Sequence, residues 1–508
     1  MVPSRRVAAS VAAVAVLATL PLVVARLVPG IDYPTHLSLV RALREAFTDP
    51  TAFRATYETH LFQPYWLSFY APTLILSAAL PLELAAKSVV AVGLCLQPLA
   101  IWLLARHEGA EPRAAVLGAA LLYGFSFFVG LVPFIIATHL ALLALVLVLR
   151  FERDGSRRSL LWLHLASIGL VFSHPIAWAL FVAWSGWILL TGSTPIRERA
   201  RRMLAASTAL VMPVIVIVLY DRHLRTWSAL AGLRSAPPTM SLDLRARFFA
   251  AVGFTSFAPE LEWGLVFVFV GVVALSAWGA WDAGDRRRLL RWGGLSAFMF
   301  AAYWIAPHSA FGVLFFHSRA LPFAFLFALM CVSKRPRMPA VVAVAQIALV
   351  AMVVGNAVLV FRAFDDEARG AMACLSRARP RSKLVGLAPQ TYSRIVRYPL
   401  FLHVDNYHTA LNGGPVMNHL MVMSGPSTPV QYRVPPFQNT ILGLEEHPEW
   451  FDYDRMGAGV DYFFVHGPKL RTRDGVPYLA DAALLGRGIV RSTLVCEQGS
   501  SRLYEHRH

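Results

Sequence analysis

The sequence predicts an all-α polytopic membrane protein of about eleven transmembrane helices, followed by a small C-terminal α/β domain. Three observations predict it. Of the 508 residues, 56% are hydrophobic and only 15% charged, against about 25% charged in an ordinary soluble domain. Apolar runs long enough to cross a hydrocarbon core of ~30 Å recur through the first 362 residues. From Phe364 onward the chain changes character, with mixed charges, many turn residues and no spanning run. Together with a mean hydropathy of +0.53, these features exclude secreted, nuclear and nucleic-acid-binding proteins, in spite of a pI near 10.2.

The net charge of +17 has a location. Residues 363–508 hold 16 basic and 14 acidic side chains, so the excess lies almost wholly in the membrane portion. Six clusters carry it: Arg5/Arg6; Arg106/Arg113; Arg150, Arg153, Arg157 and Arg158; Arg197, Arg199, Arg201 and Arg202; Arg286, Arg287, Arg288 and Arg291; and Lys334, Arg335 and Arg337. Basic residues flank spans on the cytoplasmic side, so all six are placed there. The spans then fall near 7–28, 86–105, 114–131, 136–150, 159–173, 176–192, 203–220, 263–281, 289–306, 314–332 and 339–361. The first is read as a retained span and not a cleaved leader, because its apolar run is long and lacks a cleavage site. Eleven crossings put the N-terminus in the cytoplasm and residues 363–508 outside. Lysine occurs only at 87, 334, 383 and 469. That bias toward arginine suggests a GC-rich bacterial genome, and with it the bacterial cytoplasmic (inner) membrane.

Residues 65–82 are apolar but interrupted by Pro72 and Pro81 and preceded by Pro64. A twelfth crossing here would turn every later cluster outward, so the segment is predicted to lie half-inserted on the outer side. The membrane domain is thus 1–362, with outer loops 29–85 and 221–262. The outer domain, 363–508, is predicted to contain a helix (364–378), strands (383–389 and 460–467) and a terminal hairpin (489–507). Cys374 and Cys496 can pair there if the domain faces an oxidising compartment.

The most informative stretch is Gly30-Ile31-Asp32-Tyr33-Pro34-Thr35-His36, directly after the first span. Pro34 suits the first turn of a helix. Asp32 is expected near the N-cap, accepting backbone N–H groups that favour its ionised form. His36 follows one turn later on the same face. The pair reads either as a capped interfacial helix or as a general base with a helper. Further candidates for substrate binding are Glu58 and His60 in the first loop, His174 and His317 among the outer histidines (with His36, His139 and His308), and Arg319 at the outer end of a span, where an arginine needs an anionic partner. No histidine or carboxylate pair has the spacing of a metal motif. Arg245 and Arg247 read as a solvated basic face. Trp450, Phe451, Tyr453, Tyr462 and Phe463 read as a core or as a sugar-stacking surface.

An acidic residue just after the first span, Asp32, in a long first outer loop, with many spans, basic inner loops and an outer C-terminal domain, resembles the GT-C superfamily of integral membrane glycosyltransferases, including bacterial protein and lipid-A glycosyltransferases. The resemblance covers the whole chain in layout and a handful of residues in motif. It implies a GT-C-like fold and a sugar moved, with inversion, from a polyprenyl-phosphate donor to a glycan, lipid or protein acceptor outside the membrane. Asp32 would be the catalytic base, and Arg319 would face the lipid phosphate. Asp32 is followed by Tyr33, not a second acidic residue, and residues 132–138 hold no carboxylate. A two-carboxylate metal site is therefore not expected, although a divalent metal ion stays open as a cofactor. The other expectations the residues allow are a transporter or flippase of lipid-linked glycan, a surface-polysaccharide polymerase or ligase, and a non-catalytic membrane assembly protein.

Overall fold

A computed structural model describes residues 5–60, 65–225, 240–282, 284–309, 315–333, 338–423, 428–441, 443–457, 459–473 and 476–507. Lys334, Arg335 and Arg337, and residues 226–239 of the loop expected at 221–262, lie outside the described residues.

The chain is mostly helical, and six of its helical stretches are long and apolar enough to cross a membrane: Val7–Val24, Leu82–Glu108, Val132–Asp154, Ile196–Leu219, Pro259–Asp282 and Pro339–Leu375. The remaining expected spans are shorter or interrupted. Residues 114–131 break into a helix Ala114–Gly118, a 3-10 turn Ala119–Leu121 and a last turn Phe125–Phe128. Pro175–Leu190 and His317–Cys331 fall short of a full crossing length, and residues 286–305 carry a π-turn at Leu289–Gly293. The segment expected to lie half-inserted forms the short helix Trp66–Leu76, about 16 Å long. Pro72 stands in the first turn of its α-helical part, Ala71–Leu76.

Helix Val132–Asp154 is the central strut, buried along most of its length. Gly93 lets it approach helix Leu82–Glu108, since a Cβ at Gly93 would sit 2.5 Å from Ile136 Cγ1. His139 Nδ1 meets the Gly93 carbonyl at 2.8 Å. His139 thus holds two helices together inside the bundle.

At the Asp154 end of that strut, residues of three basic clusters converge. Arg153 donates to the His107 carbonyl, Arg202 to the Glu152 carbonyl, and Arg288 to the Val332 carbonyl. Arg291, only 3% exposed, bridges Glu108 at 2.9 Å and Glu152 at 3.3 Å. Arg245 departs from the expectation of a solvated face. It is buried, and its guanidinium donates to the carbonyls of Tyr303, Trp304 and Ala306 at 2.7–2.8 Å. It caps the C-terminal end of helix Gly294–Ile305, where a cation meets the negative end of the helix dipole. Arg247 is exposed and pairs with Asp243.

The expected helix 364–378 is not separate. The last span runs unbroken as a 37-residue helix, Pro339–Leu375, about 55 Å long, so the last span enters the C-terminal domain without a break. There a four-stranded sheet forms. Strand Leu384–Leu387 runs parallel to Tyr462–His466, which pairs antiparallel with Ser501–His506, and that strand with Ser492–Gln498. A second core packs under it, including Val385, Leu387, Met417, Leu444, Phe451, Phe463 and Val465. Of the five aromatic residues singled out in the sequence, Phe451, Tyr462 and Phe463 are core, Tyr453 packs on Phe463 and His506, and Trp450 is half exposed and stacked on His447.

Cys374 and Cys496 form a disulfide between the long helix and the edge strand, 122 residues apart. By loop entropy such a link contributes up to about 4–5 kcal/mol. Cys496→Ser is expected to lower the thermal unfolding midpoint by several degrees, and reductant should do the same to the wild type but not to the variant.

The long first loop, 29–85, and the C-terminal domain form a continuous surface. Tyr57–Thr59 pairs antiparallel with Val430–Tyr432. Asn406 Nδ2 donates to Thr35 Oγ1 at 2.7 Å, and Ser38 Oγ bonds His419 Nε2.

Candidate active site

The backbone around Asp32 is pinned before its side chain does anything. Ile31 and Asp32 donate their N–H groups to the carbonyls of Phe128 and Val129, both at 3.0 Å. The approach requires a glycine opposite: Gly130 has φ +86°, and a Cβ there would lie 2.6 Å from the Asp32 nitrogen. Helix Tyr33–Thr48 then begins with Pro34 in its first turn, as expected, and Asp32 is its N-cap residue.

The side chain does not behave as the sequence suggested. Asp32 has helical φ/ψ and makes no side-chain cap bond. Its carboxylate turns away from the helix, and Oδ1 lies 3.4 Å from His403 Nε2 of the C-terminal domain. Burial, and not capping, sets its charge. The cost of desolvating the anion raises the pKa to about 7, and the Arg319 guanidinium draws it part of the way back. Asp32 nonetheless keeps a third of its side-chain surface accessible.

Three elements converge on this carboxylate. Helix Tyr33–Thr48 supplies His36, whose Nδ1 meets Tyr70 Oη at 2.7 Å. Tyr70 and Tyr65 come from the short segment after Pro64, which is anchored by Ser68 Oγ donating to the Ser173 carbonyl at 3.0 Å. Tyr65 is held at φ +97°, a left-handed conformation that costs a residue with a Cβ about 1 kcal/mol or more. Its ring stands edge-on to His174 with centroids 4.7 Å apart. Phe134, near the start of the central strut, carries His174 against its ring at 5.2 Å and the Arg319 guanidinium at 4.6 Å. Arg319 is only 6% exposed.

Burial lowers the pKa values of His36 and His403 to about 4, so both imidazoles are neutral at pH 7. A neutral His403 can donate Nε2–H to the Asp32 carboxylate. His403→Phe keeps the ring and the burial but removes the donor, which should push the Asp32 pKa further up. The shift is expected to appear as a higher pH of ionisation for the Asp32 carboxyl, read from its infrared band in a pH titration of wild type and variant.

The structure therefore brings Asp32, His36, His174 and Arg319 into one neighbourhood and leaves out the rest. Glu58 stands on the strand pairing with Val430–Tyr432, where Gln431 Nε2 donates to it and His60 Nε2 lies 3.6 Å away. That pair belongs to the seam between the long first loop and the C-terminal domain. His317 packs against Tyr303 and His308, beside the Arg245 cap. Sequence reasoning missed Tyr65, Tyr70 and His403. The tyrosines carried one usable signal, since proline-broken backbone at membrane depth is tolerated where it is buried in protein or lines a cavity. His403 carried none, lying 371 residues from Asp32.

No protein-family model matches the chain, and neither does any curated protein. Among the described residues, no three His, Cys, Asp or Glu side chains come together as metal ligands. What the arrangement offers chemically is a carboxylate titrating near neutral pH, a buried guanidinium within electrostatic reach of it, and aromatic walls.

Proposed function

We propose that this protein is an inverting glycosyltransferase of the GT-C type, which moves a sugar from a polyprenyl-phosphate donor to an extracytoplasmic acceptor. The observation that carries the reading is Asp32, a carboxylate whose pKa burial moves to about 7 while its surface stays accessible, with the Arg319 charge acting on it. A general base works best with a pKa near the operating pH. Asp32 takes the proton from an acceptor hydroxyl as that oxygen attacks the anomeric carbon. The bond from the anomeric carbon to the phosphate oxygen breaks on the opposite face, and polyprenyl phosphate leaves with the electron pair. Arg319 offers that leaving anion charge-assisted hydrogen bonds.

Two observations support an outer location for the site. The Asp32 loop meets the start of helix Val132–Asp154, about 34 Å along the axis from the arginine-rich end, and basic clusters mark the cytoplasmic face. The Cys374–Cys496 disulfide suits an oxidising compartment. On this reading the shorter helices complete about eleven crossings, the N-terminus is cytoplasmic, and the membrane is the bacterial inner one.

The test gives the purified protein in nanodiscs a panel of polyprenyl-phosphate sugars with envelope acceptor. Released polyprenyl phosphate is followed together with the anomeric configuration of the product. The reading expects release coupled to sugar on an acceptor, with inversion. Retention of configuration, or movement of the donor across the bilayer with no release, would overturn it.

A further inference from the structure

At the far end of the helix that Asp32 begins, the long first loop and the C-terminal domain enclose a cleft that the chemistry at Asp32 does not use. Its volume is about 270 Å³, and Glu45, Thr56, Tyr57, Arg381, Gly413 and Tyr432 are among the residues that line it. Drug-sized pockets run to ~300–1,000 Å³ and favour seams of this kind. A cleft just below that range takes a small ligand, or one unit of a longer one.

The walls meet at Glu45, which is 7% exposed. A Cβ on Gly413 of the C-terminal domain would lie 3.1 Å from Glu45 Oε1. Gly413 also has φ +71°, closing helix Tyr407–Asn412 in the left-handed conformation. Glycine here serves both the turn and the space beside the carboxylate. Among the described residues one cation reaches Glu45: Arg41 Nη2, at 3.9 Å, which is beyond hydrogen-bond length. Arg381 donates its N–H to the Asn412 carbonyl at 2.9 Å, and its exposed guanidinium lies 3.4 Å from Asp49. Its φ of +60° is uncommon for a residue with a Cβ. The aromatic wall is Tyr57 and Tyr432, paired across two short strands with ring centroids 4.9 Å apart. Tyr57 is buried and Tyr432 half-buried, so Tyr432 presents ring surface backed by its partner.

One carboxylate and one guanidinium leave this lining without net charge, which selects against a simple anion or cation. The occupant must donate to Glu45, accept from Arg381 and lay an apolar face on Tyr432. A hydroxyl both donates and accepts, and its bonds to ionised partners are the stronger, charge-assisted kind. A sugar ring carries several hydroxyls around a face of C–H groups. We infer that this cleft binds one neutral sugar unit of a glycan chain. Glu45 lies about 20 Å from Asp32 along helix Tyr33–Thr48, so the sugar held here is a distal unit and not the one that reacts. That the chain is the acceptor rests on the transferase reading of Asp32; the sugar site itself does not.

The experiment uses the full-length protein in nanodiscs and saturation-transfer NMR with four neutral tetrasaccharides: maltotetraose, cellotetraose, mannotetraose and chitotetraose. Glycine and tetra-alanine are the zwitterionic and peptide controls. The expected result is binding of at least one tetrasaccharide with a Kd in the millimolar range or tighter. Glu45→Gln keeps the shape of the side chain without its charge, and Arg381→Gln changes an exposed side chain that the fold does not depend on. Each should weaken that binding by tenfold or more, with the unfolding midpoint of Arg381→Gln at the wild-type value. Failure of all four sugars to bind would overturn the site. So would wild-type binding in Arg381→Gln and Glu45→Gln, or glycine or tetra-alanine bound in preference to the sugars. Polyprenyl phosphate release, followed separately, keeps the two readings apart. A bound tetrasaccharide without release retains the cleft and removes the transferase, and release with no bound tetrasaccharide does the reverse.

Discussion

Asp32→Asn is expected to lower polyprenyl phosphate release by about 10²–10⁴-fold, the usual worth of a general base, and at the same time to raise the unfolding midpoint at pH 8. The two effects have one cause. The folded protein holds Asp32 with a pKa near 7, where the unfolded chain has 3.8. Folding therefore works against the ionised form: the penalty is absent below pH 3.8, grows as pH rises, and is complete above about pH 7. A shift of that size corresponds to about 4 kcal/mol at most. With a third of the side chain accessible, solvent screening reduces it to roughly 1–3 kcal/mol. Asparagine keeps the shape and removes the charge. The variant's advantage in midpoint should shrink as pH falls from 8 toward 4. Catalysis runs the other way along the same axis. Only the ionised carboxylate accepts a proton, so the wild-type rate should rise about tenfold per pH unit up to pH 7 and then level, while the residual rate of the variant stays flat. A variant that lost activity and stability together would make Asp32 a structural anchor of the loop and not a base.

How much of this was legible in the sequence depends on the range over which each feature is decided. The membrane character, the start of helix Tyr33–Thr48, the long first loop and the terminal hairpin follow from local composition, periodicity and turn chemistry, and all are present. Asp32 and Arg319 stand out for a similarly local reason. A carboxylate just past the first span and an arginine near a span end are conspicuous wherever the chain later takes them. What failed was anything decided by packing. The N-cap reading of Asp32 presumed a carboxylate free to choose the helix end, whereas the residues packed around the loop turn it toward His403. Arg245 looked solvated because nothing in its neighbours along the chain announces the helix end at Ile305 that it caps. The last span looked finished at residue 361 because its polarity changes there, yet an α-helix continues through a polarity change as long as its backbone bonds and one packed face continue. His403 and Tyr70 reach the site by tertiary contact alone, and no spacing rule links positions 32, 70 and 403.

Arg319 is where the second large effect is expected. Arg319→Met should lower turnover by about 10²–10³-fold, the range measured when a single preorganised donor to a developing oxyanion is removed, while leaving the fold in place. The stability half follows from its surroundings. The guanidinium lies over Phe134 and is 6% exposed, so an apolar chain of similar length keeps the packing and avoids the desolvation of a buried cation, at the cost of leaving the Asp32 carboxylate without its opposing charge. Arg319→Lys keeps the charge but not the fork that spans two phosphate oxygens, and should recover only part of the loss. The loss should appear in turnover more than in KM, because charge on the bridging oxygen develops in the transition state. Arg319 also lowers the pKa of Asp32, which offers a competing explanation: the arginine would act only by keeping the base ionised. The pH profile separates the two. If pKa control were its whole role, Arg319→Met would move the acidic limb upward and recover wild-type turnover above about pH 9. If it stabilises the leaving phosphate, the deficit persists on the alkaline plateau. In the double variant with Asp32→Asn the losses should then fall short of additive, as they do for residues that act in one chemical step.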